Sequence, residues 1–339
     1  MVIAKTRCNL AFIDKGIVNF KNSLFYFLGL VETFKGISHF IDNTFQTAVT
    51  IGTFDGVHLG HSKILERLIN NAKTSGLKAT VLTFFPHPRM VLQKDTDIKL
   101  LNTLDEKMEK MESLGLDYLI VHPFTKDFSR LSATEFVRDV LVNQLKTKKI
   151  IIGYDHRFGR NRNANIQDLM AFGATLDFEV EEIPAQEIDD VSVSSTKIRN
   201  ALLEGNIETA NSYLNYSYML TGTIKKGKGL GKQFGFPTAN LHIAETYKLI
   251  PKNGVYVVES TLNDKEYFGM MNIGFNPTVS GTEKSIEVNF FDFEGSLYDT
   301  KVQVNILHRI RDEHKFDSVE ELREQLKKDR ETSLTLISK

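Results

Sequence analysis

Two histidines and three glycines lie close together in the run Gly52–His61. Glycine lets the backbone approach a ligand closely, and the free amides at the start of a helix attract anions. His58 and His61 could donate hydrogen bonds to phosphates as negative charge builds during attack at an α-phosphorus. A pair of surface histidines at a tight turn and a metal site are the alternatives, but Gly56 and Gly60 frame the histidines and no third metal ligand accompanies them. The run therefore predicts a phosphate site that needs no covalent intermediate.

Three further polar clusters end predicted strands or begin a predicted helix. In Thr83–Arg89, two prolines fix the loop and Arg89 can face an anion. Gly153–Gly159 follows another strand, and Ser194–Arg199 combines helix-capping hydroxyls with cations that can reach phosphates. A plain helix cap remains an alternative for the serines. Four such clusters at one sheet edge favour a shared anion site.

The second half of the chain carries a glycine- and lysine-rich run, Gly222–Gly235. A basic loop with exposed backbone is suited to wrapping phosphates. A Walker A motif fails because Gly229 stands where a Ser or Thr must be, and the dinucleotide-binding glycine pattern also fails. A bare flexible loop is the alternative for this segment.

The periodicity of apolar residues predicts the strands and helices that position the polar clusters of the first half. From Thr47 to about Asp190, short apolar runs alternate with helical patterns, which is typical of a doubly wound α/β domain with a parallel sheet. The predicted strands are Ala48–Phe54, Ala79–Phe85, Tyr118–His122, Lys149–Tyr154 and Thr175–Glu182. Such sheets bind ligands at the carboxyl ends of their strands, where the clusters lie.

After Ser194 the pattern changes to two helical pieces and then to strands. The helices Thr196–Glu204 and Ile207–Leu214 predict a connector. The predicted strands are Met219–Ile224, Val255–Thr261, Tyr267–Ile273, Ser285–Phe293 and Lys301–Ile310. Their spacing favours a closed antiparallel β-barrel. A last helix should begin at Asp317 and pack on the barrel through Val319, Leu322 and Leu326.

Length and composition agree with this division. A chain of 339 residues predicts about two domains, which we place at residues 31–195 and 218–339 with the connector at 196–217. The formal net charge is −1, so no basic field favours nucleic acid as a partner. A single cysteine, Cys8, excludes an internal disulfide and indicates a reducing, cytoplasmic compartment. Residues 1–30 are expected to be a leader of uncertain role. The apolar run Leu24–Val31 at its end is too short to span a membrane, so no stable membrane association is expected, and membrane targeting is the alternative to a leader or a mis-set start.

The first-half motifs resemble the adenylyltransferase module of the bacterial bifunctional riboflavin kinase/FAD synthetase family. The resemblance rests on the His58–His61 element and on Ser194–Arg199. It implies that His58 and His61 assist adenylyl transfer. The nucleotide-binding residues that it implies are Gly52, Phe54, Asp55, Gly56, His58, His61, Asp155, Arg162, Ser195, Thr196 and Arg199. The flavin or phosphate contacts that it implies are Pro86, His87, Pro88 and Arg89. His156 and Ala164 stand where the family usually has Phe and Gly.

The second half resembles riboflavin kinase, on the run Gly235–Asn240 and on the order of the segments after it. The ATP-binding residues that this implies are Gly227, Lys228, Gly229, Gly231, Gly235, Pro237, Thr238 and Asn240. The resemblance also implies that Thr238 and Asn240 coordinate Mg²⁺ and that Glu287 is the general base for the ribityl 5′-hydroxyl. A strand residue facing solvent remains the alternative for Glu287, since alternation places it on a polar face in either case. Asn289 stands where the family often has His.

The resemblance implies a bifunctional enzyme with ATP and flavins as substrates. The barrel would convert riboflavin and ATP to FMN and ADP, and the first domain would convert FMN and ATP to FAD and pyrophosphate. Two alternatives remain at this point. The chain could retain only one of the activities, or it could be a flavin-binding regulatory protein.

Overall fold

The structure is a computed structural model that describes residues 31–40, 45–93, 97–184 and 193–338, except residues 228, 230, 232–234 and 279–280. The expected leader at residues 1–30, with Cys8, and the predicted ATP contact Lys228 lie outside the described residues. The described chain forms a parallel sheet with helices on both faces, followed by a closed barrel and a terminal helix. This confirms the predicted fold class.

The first unit is built on a parallel sheet of six strands. The strands are β1 (Glu32–Phe34), β2 (Thr47–Ile51), β3 (Lys78–Phe85), β4 (Tyr118–Pro123), β5 (Thr147–Gly153) and β6 (Glu179–Ile183). Their order across the sheet is β1-β4-β3-β2-β5-β6, with every pair parallel. The chain therefore builds outward on one side of β2 and then crosses to β5, which places a topological switch point between β2 and β5.

Helices cover both faces of the sheet because β2 and its neighbours are apolar on both sides. The helices are α1 (Leu59–Ser75), α2 (Pro88–Leu92), α3 (Leu104–Glu112), α4 (Ala133–Glu135), which continues as a π-helix (Phe136–Gln144), and α5 (Ile166–Leu176). Short 3₁₀ turns occur at Ile37–Phe40, Phe128–Arg130 and Arg160–Arg162. Ala48 packs in one apolar cluster with Leu65 of α1, while Val49 packs in the other with Leu141 of the π-helix.

In this sheet, two strand boundaries differ by three residues or more from the sequence-based prediction. The strand predicted over Ala48–Phe54 ends at Ile51, because Phe54 has a left-handed backbone conformation, with φ of 45°, that no strand can include. The strand predicted from Thr175 begins at Glu179, since α5 continues to Leu176 and ends at Asp177, which is also left-handed. The prediction also missed the three-residue strand β1.

The connector consists of two helices, α6 (Ser195–Glu204) and α7 (Ile207–Leu214). Gly205 ends α6 in a left-handed conformation. Ile198 and Leu214 belong to the same buried apolar cluster as Tyr218 and Val258 of the barrel strands. The connector is therefore packed against the barrel.

The second unit is a closed antiparallel barrel with the order β10-β11-β8-β7-β12-β9. Its strands are β7 (Tyr218–Lys225), β8 (Ala239–His242), β9 (Gly254–Leu262), β10 (Lys265–Thr278), β11 (Gly281–Phe290) and β12 (Lys301–Arg311). The prediction missed β8, which has only four residues and lies inside the run that carries the kinase motif. Ile286, Val288 and Phe290 of β11 are buried in the barrel core, so Glu287 and Asn289, which alternate with them, are on the other face of the strand.

The last helix, α8 (Val319–Ile337), packs on the barrel as predicted, and Leu322 and Leu326 of the predicted face are half-buried. Ser318, not Asp317, is its N-cap, and its hydroxyl accepts a hydrogen bond from the Glu321 amide. Val319 is exposed, whereas Asp329 and Ser333 are the buried residues of the helix. Asp329 continues the face of Leu322 and Leu326 at helical spacing and forms a bidentate ion pair with Arg311 of β12, which the spacing of leucines does not indicate.

The two units are joined by a buried ion pair between α3 and the barrel. Lys248 Nζ lies 2.6 Å from Glu106 Oε2, and both side chains are almost completely buried. Glu106 Oε1 also accepts a hydrogen bond from the Thr221 amide of β7 at 3.0 Å.

In the part of the chain that the structure describes, no helix is long and apolar enough to cross a membrane.

Candidate active sites

The loop between β2 and α1 is the centre of the first site. Phe54 and Val57 have left-handed φ values of 45° and 38°, a conformation that costs about 1–3 kcal/mol for such residues and is found at functional sites. Gly56, with φ of 91°, passes directly beneath Leu101, where a Cβ atom would lie 2.6 Å from a leucine methyl group. The sequence pattern identifies Gly56 as part of the site. It does not indicate the strained backbone of Phe54 and Val57, because neither residue type is typical of that conformation.

His58 and His61 stack on each other at the start of α1. Their ring centroids are 3.7 Å apart, and His58 is the N-cap, with Nδ1 accepting a hydrogen bond from the His61 amide at 3.4 Å. Burial lowers the pKa of His58 to about 4, although the Asp55 carboxylate opposes the shift. Burial, and then the charge of His58, also holds the pKa of His61 well below its ordinary value. The two rings are therefore neutral near pH 7, and the proton of His58 is on Nε2, because Nδ1 accepts a bond.

A cavity of about 630 Å³ opens at the carboxyl edge of the sheet, beside the switch point. The predicted adenylyltransferase residues that line it are Gly52, Phe54, Asp55, His58, His61, His87, Pro88, Arg89, Asp155, Arg162, Ser195, Thr196 and Arg199. Gly56 and Pro86, predicted with them, are not in its lining. His156 also lines the cavity, and its Nε2 atom is buried without a hydrogen-bond partner among the described residues. The fold thus brings the four polar clusters to one place.

Asp55 organises the side of the cavity that faces α6. Its carboxylate pairs with the Arg199 guanidinium and accepts a hydrogen bond from the Leu101 amide at 2.9 Å. Arg199 Nε also donates to the Lys99 carbonyl at 2.9 Å, and the Ser195 hydroxyl donates to the Asp55 carbonyl at 2.9 Å. Arg199 is consequently held in place before any ligand binds. Ser194 is the N-cap of α6, as the capping interpretation of this run expected.

His87 begins α2 in the same way that His58 begins α1. Its Nδ1 atom accepts a hydrogen bond from the Arg89 amide at 3.1 Å. Burial lowers the pKa of His87 to about 4, against the opposing charge of Asp55. A neutral imidazole with its proton on Nε2 is therefore available on this wall too.

Lys107 is a residue near this site that sequence reasoning missed. It lies on α3, is only 4% exposed, and donates from Nζ to the Thr53 carbonyl at 2.7 Å. Burial lowers the pKa of Lys107 to about 8. The available signal was its position between Leu104 and Met111, on the apolar face of the helix, where a charged residue is unexpected.

The second site lies where the loop before β8 crosses the outer face of β11. The Thr238 hydroxyl donates to Glu287 Oε2 at 3.1 Å, and Asn240 is directly opposite Glu287 in the strand register. A Cβ atom on Gly227 would lie 2.2 Å from Asn240 Nδ2, so a larger residue at this position would displace the Asn240 amide. Glu287 is half-buried beneath the loop, which does not match the alternative of a strand residue facing open solvent.

Asn289 supports the same loop from β11. Its amide Nδ2 donates to the Pro237 carbonyl at 2.7 Å, next to Thr238. The side chain is buried and lies on the same strand face as Glu287, two residues away. The substitution from the family's usual His therefore leaves a residue that holds the loop, which sequence reasoning did not anticipate.

The comparisons with known proteins match both halves. A family model described as FAD synthetase matches residues 41–197, and one described as riboflavin kinase matches residues 214–337. The bifunctional riboflavin kinase/FMN adenylyltransferase of Listeria monocytogenes is 39% identical over 86% of this chain and 92% of its own length. The chain belongs to the bifunctional riboflavin kinase/FMN adenylyltransferase family.

Other relatives agree with this assignment. The Escherichia coli K12 protein of the same name is 34% identical over 84% of this chain and 91% of its own. A crystal structure named as a macrolide-efflux protein from Streptococcus pneumoniae has a TM-score of 0.81 and 32% identity, and the match covers 90% of this chain and 98% of that one. That likeness concerns the fold.

As a member of this family, the chain is a transferase with two activities, riboflavin kinase and FMN adenylyltransferase. ATP is the phosphoryl and adenylyl donor of the two reactions. The expectation of a bifunctional enzyme is confirmed, and the alternatives of a single activity or a regulatory flavin receptor are set aside.

Proposed function

We propose that the cavity beside the switch point binds ATP and FMN for adenylyl transfer. The observation that carries this proposal is the convergence of His58, His61 and Arg199 on a cavity at the amino terminus of α1. The proposed ligands are ATP through the predicted nucleotide residues and the flavin phosphate through the Pro86–Arg89 segment.

The chemistry of this site is alignment and charge stabilisation. An FMN phosphate oxygen attacks the α-phosphorus of ATP, a P–O bond forms, and the bond to pyrophosphate breaks. The attacking phosphate is already anionic, so no strong base is needed. The neutral His58 ring donates from Nε2–H to charge that develops on the phosphates, and the α1 amides and the Arg199 guanidinium stabilise it further.

We propose that riboflavin is phosphorylated at the Thr238–Asn240–Glu287 cluster. Glu287 accepts the proton of the ribityl 5′-hydroxyl, whose oxygen then bonds to the γ-phosphorus while ADP leaves. The cluster offers hydroxyl, amide and carboxylate oxygens, which are the ligands that Mg²⁺ prefers, so Thr238 and Asn240 fit the role of holding it. When bound with ATP, Mg²⁺ neutralises phosphate charge. The glycine-rich loop contributes backbone amides to the same phosphates.

We also propose that the two sites belong to domains at residues 31–195 and 218–339, joined by the connector at 196–217. The near-zero net charge of −1 is compatible with small anionic substrates and gives no general affinity for nucleic acid. A cytoplasmic location agrees with a chain that has one cysteine.

The test separates the two activities in one chain. Incubation with riboflavin, ATP and Mg²⁺, followed by chromatography of the flavins, should give FMN and FAD. His61→Ala should lower FAD formation from FMN by at least about 100-fold while FMN formation from riboflavin stays near the wild-type rate. Glu287→Gln should lower FMN formation by about 100-fold or more and leave FAD formation from supplied FMN unchanged.

Two results would contradict the assignments. One is a folded variant of either kind that lost both activities, because the sites would then not be independent. The other is FMN accumulation without FAD in the wild-type protein.

A further inference from the structure

Lys107 is a buried cation behind the nucleotide loop. It lies on α3, which a capping box between Thr103 and Glu106 fixes at its first turn. Among the described residues, no carboxylate forms an ion pair with Lys107, and its polar contact is the Thr53 carbonyl at 2.7 Å. Burial lowers the pKa of this ammonium group, and the Asp55 carboxylate opposes that shift without forming an ion pair with it. A buried charge with no direct ion pair is costly in free energy. A cation in such a place needs an explanation beyond the stability of the fold.

The Thr53 carbonyl is held by two donors. Lys107 Nζ is one, and the buried Thr83 hydroxyl of β3 is the other, at 3.3 Å. Thr53 and Phe54 line the cavity, whereas Lys107 does not, so the lysine pulls this carbonyl away from the cavity.

The orientation of the Thr53 carbonyl determines the direction in which the N–H of the next residue, Phe54, points. In a trans peptide the N–H points opposite to the C=O, so the Phe54 N–H points away from Lys107 and toward the cavity. Among the described residues, the Phe54 N–H has no acceptor. Phe54 also has the strained φ of 45°, a conformation that persists only where the surroundings hold it. A backbone N–H held in this way is a donor for an anion.

We propose that Lys107 is a positioning residue for adenylyl transfer. It holds the Thr53–Phe54 peptide so that the Phe54 amide faces the ATP phosphates, and its charge lies close behind the loop. The phosphates add negative charge near this lysine, beyond that of the Asp55 carboxylate, which is already paired with Arg199. The inference rests on the assignment of the Gly52–His61 loop as the nucleotide site.

The test is Lys107→Met, which keeps the length of the side chain but removes its charge and its donor. The kcat for FAD formation from FMN should fall about 10- to 100-fold, because a small displacement of an aligned donor has effects of this size. The KM for ATP should change by less than about threefold. FMN formation from riboflavin by the same variant should be unchanged. The melting temperature should not fall, since the substitution removes a buried charge that has no direct ion pair among the described residues.

Thr83→Val removes the second hydrogen bond to the Thr53 carbonyl oxygen, the one that the Thr83 hydroxyl donates. This substitution should also lower FAD formation and spare FMN formation, and it gives an answer even if Lys107→Met does not fold. The two substitutions act on one carbonyl, so the effect of the double variant on kcat should differ from the product of the single effects.

Three results would overturn the inference. They are an FAD kcat within twofold of wild type in Lys107→Met, a parallel loss of both activities with a lower melting temperature, and strictly multiplicative effects in the double variant. Wild-type protein that formed no FAD would instead contradict the proposed function of the site.

Discussion

At the scale of single residues, burial decides what the histidines can do. His58, His87 and His156 each have a pKa of about 4, and in each case burial is the largest cause. A histidine with its ordinary pKa would change charge close to neutral pH. These rings remain neutral donors over the whole range from pH 5 to 8, so the site does not depend on imidazolium charge.

This neutrality makes the folded protein sensitive to acid. The folded-state pKa of His58 lies below its ordinary value of 6.5, so the unfolded chain binds a proton that the folded chain does not. The free energy of unfolding should therefore fall as the pH drops from 6.5 toward 4, and His58 alone should contribute about 3 kcal/mol at the lower end. Urea unfolding at pH 7, 6 and 5 measures this slope.

His58→Asn isolates the contribution of one ring, because asparagine is a good N-cap and does not titrate. The variant should lose less stability between pH 6.5 and 5 than the wild-type protein loses. An identical slope in the two proteins would contradict the assignment of acid sensitivity to His58.

The sequence predicted the chemistry of these residues but not their protonation or their support. The spacing of His58 and His61 next to glycines indicates a phosphate site without any tertiary information. The neutral state of the rings and the role of Lys107 depend on which residues pack over them. That information resides in contacts with α3, which is distant in sequence from the motif.

At the scale of elements, long periodic segments were predictable and short or polar ones were not. The helix α1 has Leu65, Leu68 and Ala72 on one buried face and ends at Gly76, as its sequence indicates. The strand β8 has only four residues, too few for alternation to be recognised. The helix α8 packs along the predicted face of Leu322 and Leu326, but its most buried residues, Asp329 and Ser333, are polar and could not be predicted from the apolar pattern.

The attachment of α8 gives a prediction at this scale. Asp329 is 1% exposed and accepts bonds from Arg311 at 2.7–3.2 Å. Arg311→Met leaves this carboxylate buried without its counter-ion, so the free energy of unfolding should fall by about 3–5 kcal/mol. Denaturant unfolding followed by circular dichroism measures the loss.

An exposed pair on the same helix provides the control. Lys327 and Glu324 pair at 2.7 Å, but both side chains are more than half exposed. Lys327→Met should therefore change the free energy of unfolding by no more than about 1 kcal/mol. Equal effects of the two substitutions would show that burial of Asp329 is not what secures the helix.

At the scale of the whole molecule, α3 connects the two units. Glu106 pairs with Lys248 and accepts from Thr221 of the barrel, while Lys107, the next residue, holds the nucleotide loop. Lys248 Nζ also donates to the Leu101 carbonyl at 2.6 Å, and the Leu101 amide donates to Asp55. The segment at 99–107 thus contacts both the nucleotide loop and the barrel unit, and the sequence gives no direct signal for its bonds to the barrel unit because Glu106 and its partners lie more than 100 residues apart.

Glu106 and Asp105 of α3 form a buried and an exposed ion pair with the barrel unit, so matched substitutions can test what holds the two units together. Glu106→Gln leaves Lys248 as an unpaired buried cation and should lower the free energy of unfolding by about 3–5 kcal/mol. Asp105→Asn removes a pair with Lys301 in which both side chains are 63% exposed, so its effect should be no more than about 1 kcal/mol. Adding Lys248→Met to Glu106→Gln removes the stranded charge, so the double variant should be more stable than Glu106→Gln alone. Denaturant unfolding of these three variants, of Lys248→Met alone and of the wild type measures these differences. If the double variant lost at least as much free energy of unfolding as the two single variants together, the charges of Glu106 and Lys248 would not stabilise each other between the two units.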